Sequence, residues 1–341
     1  MSLDPTQDER DRPALAVESE RPRLLVTLRQ RDATRRAVNE LVPGVPWAFG
    51  NPGETERWAD VEAMLIGSLV RELENFDPRS TPRLRFVQRV YTGLDGMPFD
   101  RFPPDVAIAG NVGAFGPFVA EHALALALAA ARDLYEARQM VLDGKLRPAP
   151  RQRSLYGATA VILGYGAIGR EIATRLAGFG TKVVGVNRDG RPGEGAETMF
   201  PADRMLEALG LGAMVFEVRP LTHRTAGTID ATALAHMRPD AVFVDVGRAG
   251  TVDEAALYEH LRAHPEFRAA FDVWWDEDYS KGTFTTRFPF ATLPNFFGTP
   301  HSAGAVAGAE ERALRYALEN LARYFRDGHP RFVVDRAEYE G

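Results

Sequence analysis

Six residues, Gly164-Tyr165-Gly166-Ala167-Ile168-Gly169, have the spacing of a turn that can cradle a pyrophosphate. In a G-x-G-x-x-G turn the first glycine makes the tight bend and the second lets the backbone approach the ligand. The third lets helix and strand pack closely. The helix that follows offers its unpaired amide hydrogens to the anion. In a chain with 31 glycines the pattern is weak alone, and without a ligand it is simply a tight strand-to-helix turn. Its surroundings strengthen it. The apolar run Ala160–Leu163 precedes it, and Ile168, Ile172 and Leu176 recur behind it at helical spacing. The next strand ends at Asn187-Arg188, where NAD-binding versions carry an acid for the ribose 2′-hydroxyl. Asparagine does not repel a 2′-phosphate and arginine can pair with one bidentately. NADP(H) is therefore the expected cofactor, with NAD(H) possible; a solvated Arg188 is the alternative.

Three more segments hold chemically able side chains, each just past a predicted strand. They are Val244–Gly250 with Arg248, Phe271–Glu277 with Asp272 and Glu277, and Gly298–Gly304 with His301. Ligands of open α/β sheets bind at that edge. Their plain alternatives are a strand-end surface arginine, a solvated acidic loop and a satisfied histidine. Small residues after His301 (Ser302, Ala303, Gly304) leave room for a ligand.

The elements that must position these groups form two series. Strands are predicted at 23–28, 45–49, 62–68, 84–88 and 106–109, with a helix at 32–41. A second series has strands at 159–163, 182–186, 213–218, 241–246, 268–273 and 295–298, and helices at 167–179, 203–209, 253–263 and 305–325. One long helix, Phe118–Val141, is rich in Ala and Leu and has no internal Gly or Pro. Strand–helix alternation implies parallel sheets. The fold class is thus α/β, with two doubly wound parallel-sheet domains, the second a Rossmann dinucleotide-binding domain. Residues 1–21 are charged and poor in apolar side chains and read as a flexible tail.

Composition sets the outer limits. The chain has 341 residues, 45% hydrophobic and 26% charged, enough for sizeable cores. The absence of cysteine excludes disulfides, thiolate catalysis and Cys-ligated metal. A net charge of −6 with no basic block argues against nucleic acid as a partner. The longest apolar run, near 123–131, is too short to span a membrane. No basic segment leads into an apolar stretch at the N-terminus, so a cytoplasmic location is expected.

Taken together, the sequence resembles the D-isomer-specific 2-hydroxyacid dehydrogenases from about residue 84 to 325. The resemblance rests on Gln88–Asp95 (QRVYTGLD), Val119-Ala120-Glu121-His122, the glycine turn, and Pro220-Leu221-Thr222 with Thr225. It also rests on the Arg248 segment with Val252-Asp253-Glu254, and on Thr299-Pro300-His301. Residues 22–83 match in pattern only. The resemblance implies an NAD(P)-dependent enzyme transferring hydride between cofactor and a small 2-oxo or D-2-hydroxy acid, for example a glyoxylate or hydroxypyruvate reductase. It implies Arg248 as the substrate-orienting arginine, His301 as general acid/base and Glu277 as its acid partner. Asp276 and Asp278 flank Glu277, and a slip of one residue would move that role to either. Thr92, Gly93 and Leu94 correspond to the loop whose amides hold the substrate carboxylate. Cofactor contacts would come from Gly164–Gly169, Asn187, Arg188, Val218, Arg219, Pro220, Thr225, Val246, Gly247, Asp272, Ser302 and Ala303.

The chemistry fits those residue types. Reducing a 2-oxo acid needs a hydride on carbon and a proton on oxygen, which an imidazole can donate near neutrality. A carboxylate beside the ring fixes it, and a guanidinium forks onto the substrate carboxylate. The expected division is 22–110 with 304–341 as a discontinuous substrate domain and 111–303 as the Rossmann domain. The family resemblance also implies a homodimer through the cofactor domain, with Phe118–Val141 suited to the interface, and no metal. Two alternatives stay open. One is a formate-dehydrogenase-like member, weakened because Glu277 stands where that branch has an amide. The other is a non-catalytic NAD(P)-sensing, corepressor-like protein. Trp274-Trp275 replace the more usual aromatic and acid, and packing is the expected role for both.

Overall fold

The computed structural model describes residues 18–53, 57–67, 72–73, 76–146 and 152–339. The chain divides into two compact units, Met1–Ala114 with Ala307–Gly341, and Phe115–Val306. The expected boundaries were 110/111 and 303/304. Residues 1–17 of the expected tail lie outside the described residues. The boundary at residue 22 falls too late, because Ser19 N already donates to Trp47 O (2.8 Å) and Glu18 bridges to the same residue.

In the first unit, short apolar runs become strands buried on both faces, as covered parallel sheets require. They are β1 (Leu24–Val26), β2 (Trp47–Phe49), β3 (Ala63–Ile66), β4 (Phe86–Arg89) and β5 (Ala107–Ala109). Their order is β2-β1-β3-β4-β5, every neighbouring pair parallel. Helix α1 (Asp32–Leu41) has the predicted bounds. The C-terminal helix, Ala309–Asp327, turns Ala313, Ala317, Leu318 and Leu321 inward and stops at Gly328, whose φ of 71° suits glycine.

The second unit opens with helix α2 (Gly116–Ala131), followed by α3 (Leu134–Leu142). The single helix expected over 118–141 is therefore two. Nothing local breaks it. Asp133 takes a left-handed conformation (φ 51°). The almost buried guanidinium of Arg268 donates to Ala130 O (3.0 Å), Ala131 O (3.3 Å) and Asp133 Oδ2 (2.6 Å). A buried cation without partners costs several kcal/mol. Ending α2 where its last carbonyls meet Arg268 satisfies both groups.

The sheet of this unit has seven parallel strands. They are β6 (Thr159–Leu163), β7 (Lys182–Asn187), β8 (Thr198–Pro201), β9 (Met214–Glu217), β10 (Val242–Asp245), β11 (Arg268–Phe271) and β14 (Phe296–Gly298). Their order is β14-β11-β10-β9-β6-β7-β8. Helix α4 (Ala167–Ala177) follows β6, and α5 (Met205–Leu209), α6 (Ala231–His236) and α7 (Glu254–Ala263) complete the crossovers. Helix α6 and strand β8 were not anticipated. Between β11 and β14 the chain makes an antiparallel hairpin, β12 (Asp276–Asp278) with β13 (Thr283–Thr285), also absent from the sequence reading.

Candidate functional site

Every strand of the seven-stranded sheet runs the same way, so its predicted site residues share one edge. From β14 to β7 the strand ends deliver His301, Asp272, Arg248, Arg219, Gly164 and Asn187. The chain leaves β6 toward β7 on one side, and β9 to β14 lie on the other. That places the edge's crevice, where ligands of open α/β sheets bind, beside β6. The strands that lead into Arg248 and His301, β10 and β14, are two strand spacings apart, about 10 Å.

The glycine turn shows why each glycine is there. Gly164 has φ 93°, and a Cβ on it would lie 2.9 Å from the Arg219 side chain. A Cβ on Gly169 would strike Gly164 O at 2.8 Å. Both are required by packing. Gly166, which precedes α4, is different: its Cβ would meet nothing nearer than Gly164 O at 3.9 Å. Among the described residues no neighbour explains it, and none caps the start of α4 with a side chain. An open concavity over uncapped helix amides fits a pyrophosphate. Tyr165 contributes backbone only, since its ring is buried and its hydroxyl donates to Glu194 O (2.6 Å). Ala167 and Ile168 form the first turn of α4.

At the end of β7, Asn187 Nδ2 donates to Arg191 O (2.9 Å), while its Oδ1 is buried with no hydrogen-bond partner among the described residues. Arg188 is exposed. The next residue in sequence, Asp189, is engaged by Arg191 Nε at 2.7 Å. An orphaned acceptor beside an exposed guanidinium fits the polar end of a dinucleotide.

Several expected cofactor contacts have other duties. The Arg219 guanidinium lies on the fully buried Glu217, with Nε 2.9–3.0 Å from its oxygens. Thr225 Oγ1 donates to Pro220 O (2.6 Å) and accepts from Thr222 N (2.9 Å), closing its own turn. Val218 and Val246 pack in the core. Gly247 N donates to Asp245 Oδ1 (2.9 Å). Burial first, and Glu217 beside it second, push the Asp245 carboxyl well above the usual carboxylate range.

Asp272, expected as a cofactor contact, has a set of protein partners. It is almost wholly buried and acts on the protein. Its oxygens accept from Thr299 Oγ1 (2.6 Å), Ser302 N (2.8 Å) and Ala303 N (2.9 Å), and its carbonyl accepts from His301 N (2.8 Å). His122 Nε2 lies 3.3 Å from the same carboxylate. Burial raises the Asp272 carboxyl, but these donors outweigh it and hold it below the usual value. The clamp sustains a left-handed His301 (φ 51°), a conformation that costs a non-glycine residue about 1–2 kcal/mol. The amides of Ser302 and Ala303 thus donate to Asp272.

His301 and Glu277 meet directly. Nδ1 lies 2.9 Å from each carboxylate oxygen. Burial raises the Glu277 carboxyl, but hydrogen bonds from His301 and Tyr279 outweigh it and keep the group ionised. The flanking acids face elsewhere: Asp276 accepts from Thr285 Oγ1 (2.6 Å), and Asp278 pairs with Lys281 (2.6 Å). The hairpin holds Glu277 in place. Trp274 N donates to its Oε1 (2.9 Å), and the indole stacks on Phe284 (4.0 Å) while donating to Thr299 O (3.0 Å). Trp275 stacks on Phe290, so both tryptophans pack, as expected.

Tyr279 is the residue that sequence reading missed. Its hydroxyl lies 2.5 Å from Glu277 Oε2 and 2.9 Å from His301 Nδ1. Only the unforeseen hairpin brings it there. Arg248 follows β10 in extended conformation, half-buried, with Nη1 donating to Gly247 O (2.8 Å). Thr92, Gly93 and Leu94 lie in the first unit beyond β4. Thr92 Oγ1 donates to Asn111 O (3.1 Å), and Leu94 is buried in that unit's core.

Residues 124–303 match the sequence profile of the D-isomer specific 2-hydroxyacid dehydrogenase NAD-binding domain. A D-3-phosphoglycerate dehydrogenase of Mycobacterium leprae is 31% identical over 311 residues, covering 88% of this chain and 56% of that protein. The chain therefore spans about half the length of that relative. A glyoxylate reductase of Thermococcus onnurineus is 30% identical, covering 82% of this chain and 85% of its own. A solved structure from Pyrobaculum aerophilum, named as a formate dehydrogenase candidate, superposes with a TM-score of 0.78 at 29% identity, covering 93% of this chain and 99% of its own. By the profile match and these relatives, the chain belongs to the D-isomer specific 2-hydroxyacid dehydrogenase family.

Proposed function

We propose that the protein reduces a small 2-oxo acid to a D-2-hydroxy acid, or runs the reverse, with a nicotinamide dinucleotide. The observation that carries this reading is the His301–Glu277 pair, Nδ1 to carboxylate at 2.9 Å on both oxygens. Glu277 occupies Nδ1, so Nε2 is the atom that gives or takes a proton. His301 protonates the carbonyl oxygen as an alcohol forms, and Glu277 holds the ring and offsets its charge. Arg248 orients the substrate carboxylate by its fork. Gly164–Gly169, with Asn187 and Arg188 toward the ribose, would hold the dinucleotide, which would supply the hydride when bound. Oxidising formate to carbon dioxide moves a hydride and no proton, so it has no use for such a pair. That favours the 2-oxo acid reading over a formate-type reaction.

We infer further that NADPH is preferred, because position 187 is a neutral amide and Arg188 follows it. A panel of 2-oxo acids, glyoxylate and hydroxypyruvate included, tested with both cofactors checks both points. The expected result is turnover with at least one acid and a higher kcat/KM with NADPH, a preference that Arg188→Ala diminishes. Tight dinucleotide binding with no turnover on any acid would favour a sensor, and a preference for NADH would reverse the cofactor assignment.

A homodimer is part of this reading. Within the second unit, α2 is largely buried, whereas α3 buries no residue. It exposes Tyr135 (75%), Val141 (76%) and Leu142 (63%). A second copy covering that face is the proposed occupant, since such a cluster is costly to leave in water. Sedimentation velocity should show a dimer, and Tyr135→Glu with Leu142→Glu should give monomers; an unchanged mass would remove α3 from the interface.

A further inference from the structure

We propose that Tyr279 is a positioning residue of the His301–Glu277 pair. Its phenolic oxygen accepts from Nδ1 while its hydrogen rests on Glu277, so one hydroxyl ties ring and carboxylate together. The inference rests on the reading of that pair as the proton-transfer group.

The geometry allows little else. Nδ1–H points at Glu277 (2.9 Å) and at the tyrosine oxygen (2.9 Å). The tyrosine oxygen therefore receives from the ring, and its own hydrogen goes to Glu277 Oε2, 2.5 Å away. Seen from the imidazole, the phenol presents the negative end of its dipole to the Nδ1 hydrogen, which helps orient the ring. Seen from Glu277, it supplies a second donor, which favours the ionised carboxylate. The rings cross edge to face with centroids 5.6 Å apart.

The hairpin places the hydroxyl without depending on it. Register pairs Glu277 with Phe284, and the turn closes through Asp278, whose Oδ1 accepts from Ser280 N (3.0 Å) and Lys281 N (3.2 Å). The other ionisable groups around the pair are already committed. On the hairpin, Asp276 is held by Thr285 and Asp278 by Lys281. Behind His301, Asp272 is held by Thr299, Ser302 and Ala303, with His122 of α2 against it.

The test is Tyr279→Phe against Thr285→Val, which removes a hydroxyl of the same hairpin that touches Asp276 and not the ring. The imidazole of His301 is followed by NMR in histidine-labelled protein, its signal assigned by its loss in His301→Ala. In Tyr279→Phe the imidazole Nδ1 resonance should move, because the hydrogen bond to the phenol oxygen is gone. The kcat for reduction should fall about threefold with KM little changed. Thr285→Val should leave both in place. An unmoved Nδ1 resonance in Tyr279→Phe, or an equal move in Thr285→Val, would overturn the assignment. The NMR arm needs neither substrate nor cofactor, so it stays decisive if the proposed reaction is wrong.

Discussion

Replacing His301 with alanine should lower kcat by about 10²–10⁴-fold, the usual contribution of a positioned general acid or base. Dinucleotide affinity should stay nearly unchanged. The reasoning is local. The imidazole contacts Glu277 and Tyr279, and His301 lies beyond β14 whereas the glycine turn follows β6, with three strands of the sheet between them. The residue also sits in a left-handed conformation imposed by Asp272, a strain that alanine inherits, so the turn keeps its shape. Steady-state kinetics with fluorescence titration of the reduced cofactor separates the two quantities. A fall in kcat alone marks an interaction made in the chemical step. Comparable loss of cofactor affinity would contradict the assignment.

Gly166→Ala should weaken dinucleotide binding by about 2–3 kcal/mol, or 30- to 150-fold, because the new methyl enters the space a pyrophosphate needs. The ligand-free protein should melt almost as before, since that methyl meets nothing nearer than 3.9 Å. Gly169→Ala makes the informative contrast. Its methyl would press on Gly164 O at 2.8 Å, so the expected loss is of fold stability first. Thermal melts and equilibrium titrations of both variants decide. Native affinity in Gly166→Ala would mean that nothing binds over the turn.

Much of this was legible in one dimension. Ala160–Leu163, Val183–Val186 and Val242–Val244 are apolar runs of strand length, and each is a buried central strand. Period-3.6 spacing gave α1 and the start of α4 to the residue. The glycine spacing required a strand before it and a helix after it, and both are present. The positions of Arg248, Glu277 and His301 past three strand ends were readable too, because parallel strands deliver their C-terminal ends to one edge.

Partner choice was not readable. Asp272 had the look of a ligand contact but clamps the His301 turn, and Arg219 is held by Glu217 two residues back instead of facing outward. The break between α2 and α3 has no glycine or proline to announce it; it comes from Arg268, 135 residues beyond Asp133. Tyr279 reaches His301 only because a short polar stretch, unremarkable by periodicity, pairs as a hairpin. The division has a physical cause. Element type follows from the spacing of apolar side chains along a few turns or pleats, which is local. The partner of a buried charge or hydroxyl is whichever group the folded chain brings within about 3 Å, and residues far apart in the chain contribute to that on equal terms with neighbours.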